Sequence, residues 1–331
     1  MVHSSIRPEF VINVWWADRN EVRMDNVIEF KNVYKKYDSV NVLENVSFSV
    51  KKHDVFGYIG PNGAGKTTSI RLITGLLEPT QGEVKVFGEI PEKNNIKSKI
   101  GFCYDNDGLY TNLTAFENMC FFDIVYNDAK GRDKRINELL ALVGLEKAVN
   151  RRVSEFSRGM KKRLGLARAL ICSPEILILD EPMIGLDPEG QADIKRIINN
   201  IKDKCTIFLS SHNLNDVEEL CNRVAILEHR ILTDGLLSDI LADDTPVVKV
   251  TLNEPCTYER LSGLLGSGAS DIEISDKTVR IRFSQKPDLN TVTGFLIDKK
   301  IGFKEIGIVN SSLREKYFSL VDGENHEHAG N

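Results

Sequence analysis

The chain has no excess of positive charge: 43 Lys and Arg stand against 48 Asp and Glu, for a net charge of −5. A protein that grips a nucleic-acid backbone presents a basic face, and the net charge gives no sign of one. No apolar run approaches the ~20 residues a membrane-spanning helix needs. Apolar stretches such as Ile176 to Leu179 have the length of a buried strand, so any role at a membrane must pass through a partner. There are 6 cysteines (Cys103, Cys120, Cys172, Cys205, Cys221 and Cys256), with no C-x-x-C pair and no Cys/His ligand spacing. Most stand among apolar residues and read as reduced core side chains, which points to the cytosol. His326 and His328 lie in a polar stretch, and residues 322–331 are expected to form a disordered tail rather than a metal site.

What is present is ordinary for a globular protein: 41% hydrophobic and 27% charged residues. A length of 331 residues suggests two domains. Residues 1–24 contain the short apolar run Val11 to Trp16 without the basic start or small-residue cleavage site of a signal peptide, and read as an N-terminal extension. Period-two alternation over Val27 to Tyr37 and Val46 to Val50 predicts half-solvated strands. Thr114 with Glu117 three residues later predicts a capped helix start. Ile136, Leu139, Leu140 and Val143 recur at helical spacing before Gly144, and residues 158–171 form a further helix candidate. A helical insertion over about 105–172 thus interrupts an α/β pattern. That pattern resumes with the apolar strands ending at Asp180 and Ser210, with a helix near 189–203 between them.

The most informative segment is Gly60, Pro61, Asn62, Gly63, Ala64, Gly65, Lys66, Thr67 and Thr68, which reads G-x-x-x-x-G-K-T. It follows the apolar run Val55 to Ile59 and precedes a helical pattern from Ser69 to Leu77. A glycine-rich turn between strand and helix offers consecutive backbone N–H groups to a polyphosphate, and the helix dipole adds to the field. Lys66 can reach the β- and γ-phosphates and Thr67 can hold Mg²⁺. The second half of such a site is an apolar strand ending in Asp, supplied by Leu177 to Asp180. Asp180 would hold the Mg²⁺ water shell, and Glu181 is placed to polarise an attacking water as general base.

With these residues in place, the chain resembles the ATP-binding subunit of ABC transporters over about residues 27–235. Phe156-Ser-Arg-Gly-Met160 is similar to the family's signature motif, usually LSGGQ, departing from it at Phe156, Arg158 and Met160. The resemblance implies that Ser157 and the Gly159 N–H meet the γ-phosphate of ATP bound by a second, head-to-tail copy. It implies that Gly185-Leu-Asp187 is the loop through which the two sites communicate, with Asp187 at its end. His212 matches the histidine that contacts the γ-phosphate and orients Glu181, and Tyr37 matches the aromatic that stacks on adenine. Asp105 stands where the family has a glutamine that contacts Mg²⁺ and the lytic water. Arg158 replaces a glycine and either adds an electrostatic contact or lies in solvent, the second being the expectation.

Beyond residue 238 the pattern predicts an accessory α+β domain to about residue 321. Its strands are expected over Val247–Leu252, Asp271–Ile274, Val279–Phe283 and Phe303–Val309, and its helices near 257–265 and 288–299. This region is similar to the accessory domain of daunorubicin-resistance-type export ATPases, through Ser311 to Phe318. The resemblance implies a P-loop α/β core over 25–237, with an antiparallel β subdomain and a helical subdomain. It also implies ATP and Mg²⁺ as ligands, a homodimer that sandwiches two ATP, and a separate membrane permease docked near residues 104–126. The location implied is the cytoplasmic face of the membrane, the direction export, and nucleic acid is not a partner. A nucleotide-gated regulatory module with weak turnover, or an ATPase acting on nucleic acid or ribosomes, are the rival readings.

Overall fold

The computed structural model describes residues 25–92, 96–104, 108–242, 247–283, 288–309 and 312–328. The N-terminal extension and Asp105 lie outside them. The chain divides into two compact units between Gly235 and Leu236.

The first unit opens with β1 (Asn26–Tyr37), β2 (Val40–Lys51), β3 (Val55–Ile59), α1 (Lys66–Ile73), β4 (Gln81–Val86) and β5 (Ile100–Cys103). Three helices follow, α2 (Ala115–Tyr126), α3 (Arg132–Leu142) and α4 (Arg158–Leu170). It closes with β6 (Ile176–Asp180), α5 (Pro188–Ile201), β7 (Thr206–Ser211), α6 (Leu214–Leu220), β8 (Arg223–Glu228) and β9 (Arg230–Leu236). A 6-stranded sheet runs in the order β5-β6-β7-β3-β8-β9. Its central strands β3, β6 and β7 are buried at every position and pair in parallel, which is why they read as unbroken apolar runs.

A 3-stranded antiparallel sheet, β2-β1-β4, joins the large one through stacked aromatics. Phe30 lies 4.5 Å from Phe48, Phe48 5.6 Å from Phe56, and Phe56 5.7 Å from Phe208, between ring centroids. No strand is expected from the sequence over residues 223–236, yet β8 and β9 are both present. The apolar run Val224 to Leu227 in β8 is as long as that of β6 but leads into no motif residue, and β9 is a half-exposed edge of mixed polarity.

The helical region is built on its caps. Glu117 N donates to Thr114 Oγ1 at 3.2 Å and Thr114 N donates to Glu117 Oε2 at 2.8 Å, the reciprocal pair expected at the start of α2. Inside, the buried Asp123 carboxylate accepts from Arg135 Nε at 2.6 Å, Arg132 Nε at 2.9 Å and Asn127 Nδ2 at 3.1 Å, tying α2 to α3. The carboxyl end of α4 lies directly on β5: a Cβ built on Gly101 would overlap the Ala169 carbonyl oxygen.

The second unit contains α7 (Leu237–Leu241), β10 (Val247–Leu252), α8 (Tyr258–Leu261), β11 (Ala269–Ser275), β12 (Thr278–Phe283), α9 (Leu289–Asp298), β13 (Phe303–Val309) and α10 (Leu313–His328). Its 4 strands are antiparallel in the order β11-β12-β10-β13. With α8 after β10 and α9 after β12, this is the split βαβ, ferredoxin-like arrangement. α10 reaches His328, inside the stretch 322–331 expected to be a disordered tail, and residues 329–331 lie outside the described residues. Ser312 and Glu315 cap its start reciprocally, each N–H donating to the other's side-chain oxygen at 3.3 Å. No proline stands beyond to stop it.

Candidate active site

The loop after β3 needs its glycines. Gly65 has φ 108° and lies against the β1–β2 hairpin: a Cβ there would fall 2.5 Å from Leu43 Cδ2 and 2.9 Å from the Val42 carbonyl oxygen. Gly63 has φ 89°, again in the region open mainly to glycine. α1 then starts at Lys66 with no side-chain cap on Gly65 and no acidic residue in its first turn, among the described residues. Its amino-terminal donors and the positive end of its dipole are therefore left for an anion. Tyr58 and Ser69 fix the helix to β3 through a buried hydroxyl pair at 2.9 Å. Ala64 and Lys66 are buried, Pro61 is half-buried, and Asn62, Gly63 and Thr67 are exposed at the mouth, with Thr68 half-buried beside them.

Lys66 curls back over this loop. Its Nζ donates to the Gly60 carbonyl at 2.6 Å and the Pro61 carbonyl at 3.2 Å, and lies 3.5 Å from Glu181 Oε1. The other Glu181 oxygen, Oε2, lies 2.9 Å from His212 Nδ1. Glu181 follows directly on β6 with φ 48°, a left-handed conformation costing roughly 1–2 kcal/mol for a residue with a Cβ. Its backbone is held by hydrogen bonds from Glu181 N to the Ser210 carbonyl and hydroxyl oxygens, both at 3.2 Å. Ser210 Oγ in turn donates to the buried Asp180 Oδ1 at 2.6 Å. Ser210 is the residue the sequence did not single out; its one signal is its place at the end of β7, beside Ser211 and His212.

A second group forms about α4 and α5. Ser157 caps α4, its Oγ accepting from Met160 N at 3.2 Å, and Asp187 caps α5, its Oδ1 accepting from Gly190 N at 2.9 Å. Ser157, Gly159 and Asp187 line one cleft of about 450 Å³. Glu181 and His212 line another of about 170 Å³, and Gly185 borders both. The structure thus brings Lys66, Asp180, Glu181 and His212 to the ends of adjacent strands and keeps Ser157, Gly159 and Asp187 together apart from them. Tyr37, at the end of β1, is 39% exposed, with the Lys35 ammonium 5.2 Å from its ring centroid.

Residues 43–184 match the family model described as ABC transporter. The bacitracin transport ATP-binding protein BcrA of Bacillus licheniformis is 40% identical over 66% of this chain and 72% of its own length. The chain belongs to the ABC transporter family. Within that family, an uncharacterized ABC transporter ATP-binding protein of Bacillus subtilis, YhcH, is 32% identical over 92% of this chain and 98% of its own length. Among solved structures, an ATP-binding cassette in a dimeric, post-hydrolysis state bound to ADP and Pi superposes with a TM-score of 0.58, at 28% identity, over 63% of this chain and 98% of that one. The chain is accordingly an ATP-binding, ATP-hydrolysing subunit of an ABC transporter, a class that dimerises and works with membrane permease components. Among the described residues no helix is long and apolar enough to cross a membrane.

Proposed function

We propose that two copies of this chain sandwich two ATP head-to-tail and drive an export permease from the cytoplasmic face of the membrane. The observation that carries this reading is the line Lys66–Glu181–His212, which sets a cation, a carboxylate and an imidazole where a γ-phosphate and its attacking water would sit. The loop from Gly60 to Gly65 and the start of α1 cradle the phosphates. Lys66 pairs the β- and γ-oxygens, Glu181 takes the proton of the water, and His212 orients Glu181 and the γ-phosphate. Tyr37 stacks on adenine. Ser157, the Gly159 N–H and the loop ending at Asp187 close the site of the second copy.

Thr67 Oγ1 and the Asp180 carboxylate are hard oxygen donors of the type Mg²⁺ takes, few in number because phosphates and water complete its shell. Held by these two side chains, Mg²⁺ would supply positive charge that offsets the charge of the phosphates. Asp105 stands in the sequence where the family has a glutamine and lies outside the described residues.

Export is supported by the name of another relative, the Nod factor export ATP-binding protein I of Rhizobium etli, 36% identical over 82% of this chain and 91% of its own length. A permease as partner is supported by the apolar rim of α2 and the loop before it: Phe121 and Tyr126 on the helix and Tyr110 in the loop are exposed, and Ile124 and Val125 are 63% and 64% exposed. Asn118 pins that rim, accepting from Tyr110 N at 2.8 Å and donating to its carbonyl at 2.9 Å. Turnover of Mg-ATP by the purified chain, with a doubling of mass on ATP when hydrolysis is blocked, tests the reading. A chain that neither turns over nor dimerises would refute it.

A further inference from the structure

Arg158 opens α4, exposed at the edge of the cleft that holds Ser157 and Asp187. Its guanidinium lies across Gly185: a Cβ built on Gly185 would overlap Nη1, Cζ and Nη2 of Arg158. Gly185 has φ 68°, a conformation that glycine adopts freely, so one residue both makes the turn and leaves a bare surface for the planar group. Five residues further along α4, Arg163 Nη1 lies 3.2 Å from Asp193 Oδ2 on α5. Two guanidinium groups of one helix therefore bear on the segment from Gly185 to Asp193.

We propose that Arg158 is a positioning residue that straps the amino end of α4 to the Gly185–Asp187 loop. Ser157 and Asp187 then present themselves to the other copy's nucleotide as one preformed surface, an inference that rests on the head-to-tail reading. Without the strap the two segments are ordered only when the dimer forms, and the lost freedom weakens association. The effect falls on assembly and leaves the chain's own phosphate loop alone. Lysine is only a partial substitute, because a tetrahedral ammonium cannot lie flat over a peptide plane.

The test uses the full chain carrying Glu181→Gln, with Mg-ATP, and reads the dimer dissociation constant by sedimentation. Adding Arg158→Gln is expected to raise that constant about tenfold, and Arg158→Lys to restore only part of the loss. Affinity for a fluorescent ATP analogue, measured at dilutions where the chain is monomeric, stays within about twofold. Gly185→Ala pushes the guanidinium off its contact, so it weakens the dimer more when Arg158 is present than when Arg158 is Gln; the strain at φ 68° is common to both backgrounds and cancels in the difference. An unchanged dimer constant in Arg158→Gln, additive effects of the two substitutions, or an equal loss of monomer affinity would each overturn the strap alone. Failure of the Glu181→Gln chain with Arg158 intact to dimerise would overturn the head-to-tail reading, and the strap with it.

Discussion

Glu181 and Lys66 form an ion pair at 3.5 Å across the gap between the end of β6 and the phosphate loop. The cation that would hold the γ-phosphate is thus engaged by the carboxylate that would activate the water. An incoming triphosphate has to take Lys66 from Glu181 and leave the carboxylate facing His212 and solvent.

Glu181→Gln removes the charge that competes for Lys66 while keeping the side chain's shape. ATP affinity is expected to hold or rise, and steady-state hydrolysis to fall by about 100-fold or more, the usual worth of a general base. Light scattering with saturating Mg-ATP should then register a doubled mass, and Ser157→Arg added to this variant should return it to a monomer. Hydrolysis at the wild-type rate in Glu181→Gln would remove Glu181 from the role of base.

Lys66→Ala deletes the buried ammonium that touches Gly60, Pro61 and Glu181. Loss of charge-assisted bonds to phosphate of about 1.5–3 kcal/mol corresponds to at least a tenfold weaker ATP dissociation constant. Turnover should be undetectable. Isothermal titration with ATP checks the first figure, and wild-type affinity would contradict the site.

The Asp123 carboxylate is buried, which by itself raises its pKa, but hydrogen bonds from Arg135 and Arg132 outweigh burial and hold it below the ordinary 3.8. A lowered folded-state value means that this group stabilises the fold above pH 3.8 and that the stabilisation is lost as pH falls through the folded value. Asp123→Asn should therefore cost about 2 kcal/mol in urea unfolding at neutral pH. The gap to wild type should close in acid. A gap that stays constant from neutral pH down to acid would show that the charge is irrelevant.

Removing residues 236–331 takes away the whole second unit and no residue proposed to touch nucleotide. The truncated chain is expected to bind Mg-ATP with an affinity within about threefold of the full protein. A truncation that is folded by circular dichroism yet fails to bind would place part of the site beyond Gly235.

The phosphate loop, Asp180 and Glu181 were legible because each is a local pattern: a fixed spacing of glycines, and an apolar run that stops at an acid. The three core strands were legible for the same reason, being buried on both faces. The Lys66–Glu181 pair and the Ser210 bridge to Asp180 were not, because they are made by strand order, and β6, β7 and β3 are neighbours in the sheet while far apart in sequence. Arg158 was expected in solvent and is exposed, yet it lies on Gly185. Nothing in a five-residue loop announces which distant glycine it will cover. β9 leaves no period-two pattern in the sequence because an edge strand keeps one side wet and mixes its residues accordingly.

The contact of Gly101 with the Ala169 carbonyl has a mechanical meaning. α4 is seated on β5 near its carboxyl end while Ser157 stands at the other, so any tilt of the helix would pivot at Gly101. The arm from Ala169 to Ser157 is about 18 Å, so a tilt of only about 5° swings the serine hydroxyl by about 1.6 Å, enough to make or lose a hydrogen bond. A bulkier residue at Gly101 would shift the pivot itself, and Ser157 would be misplaced without any change in its own surroundings.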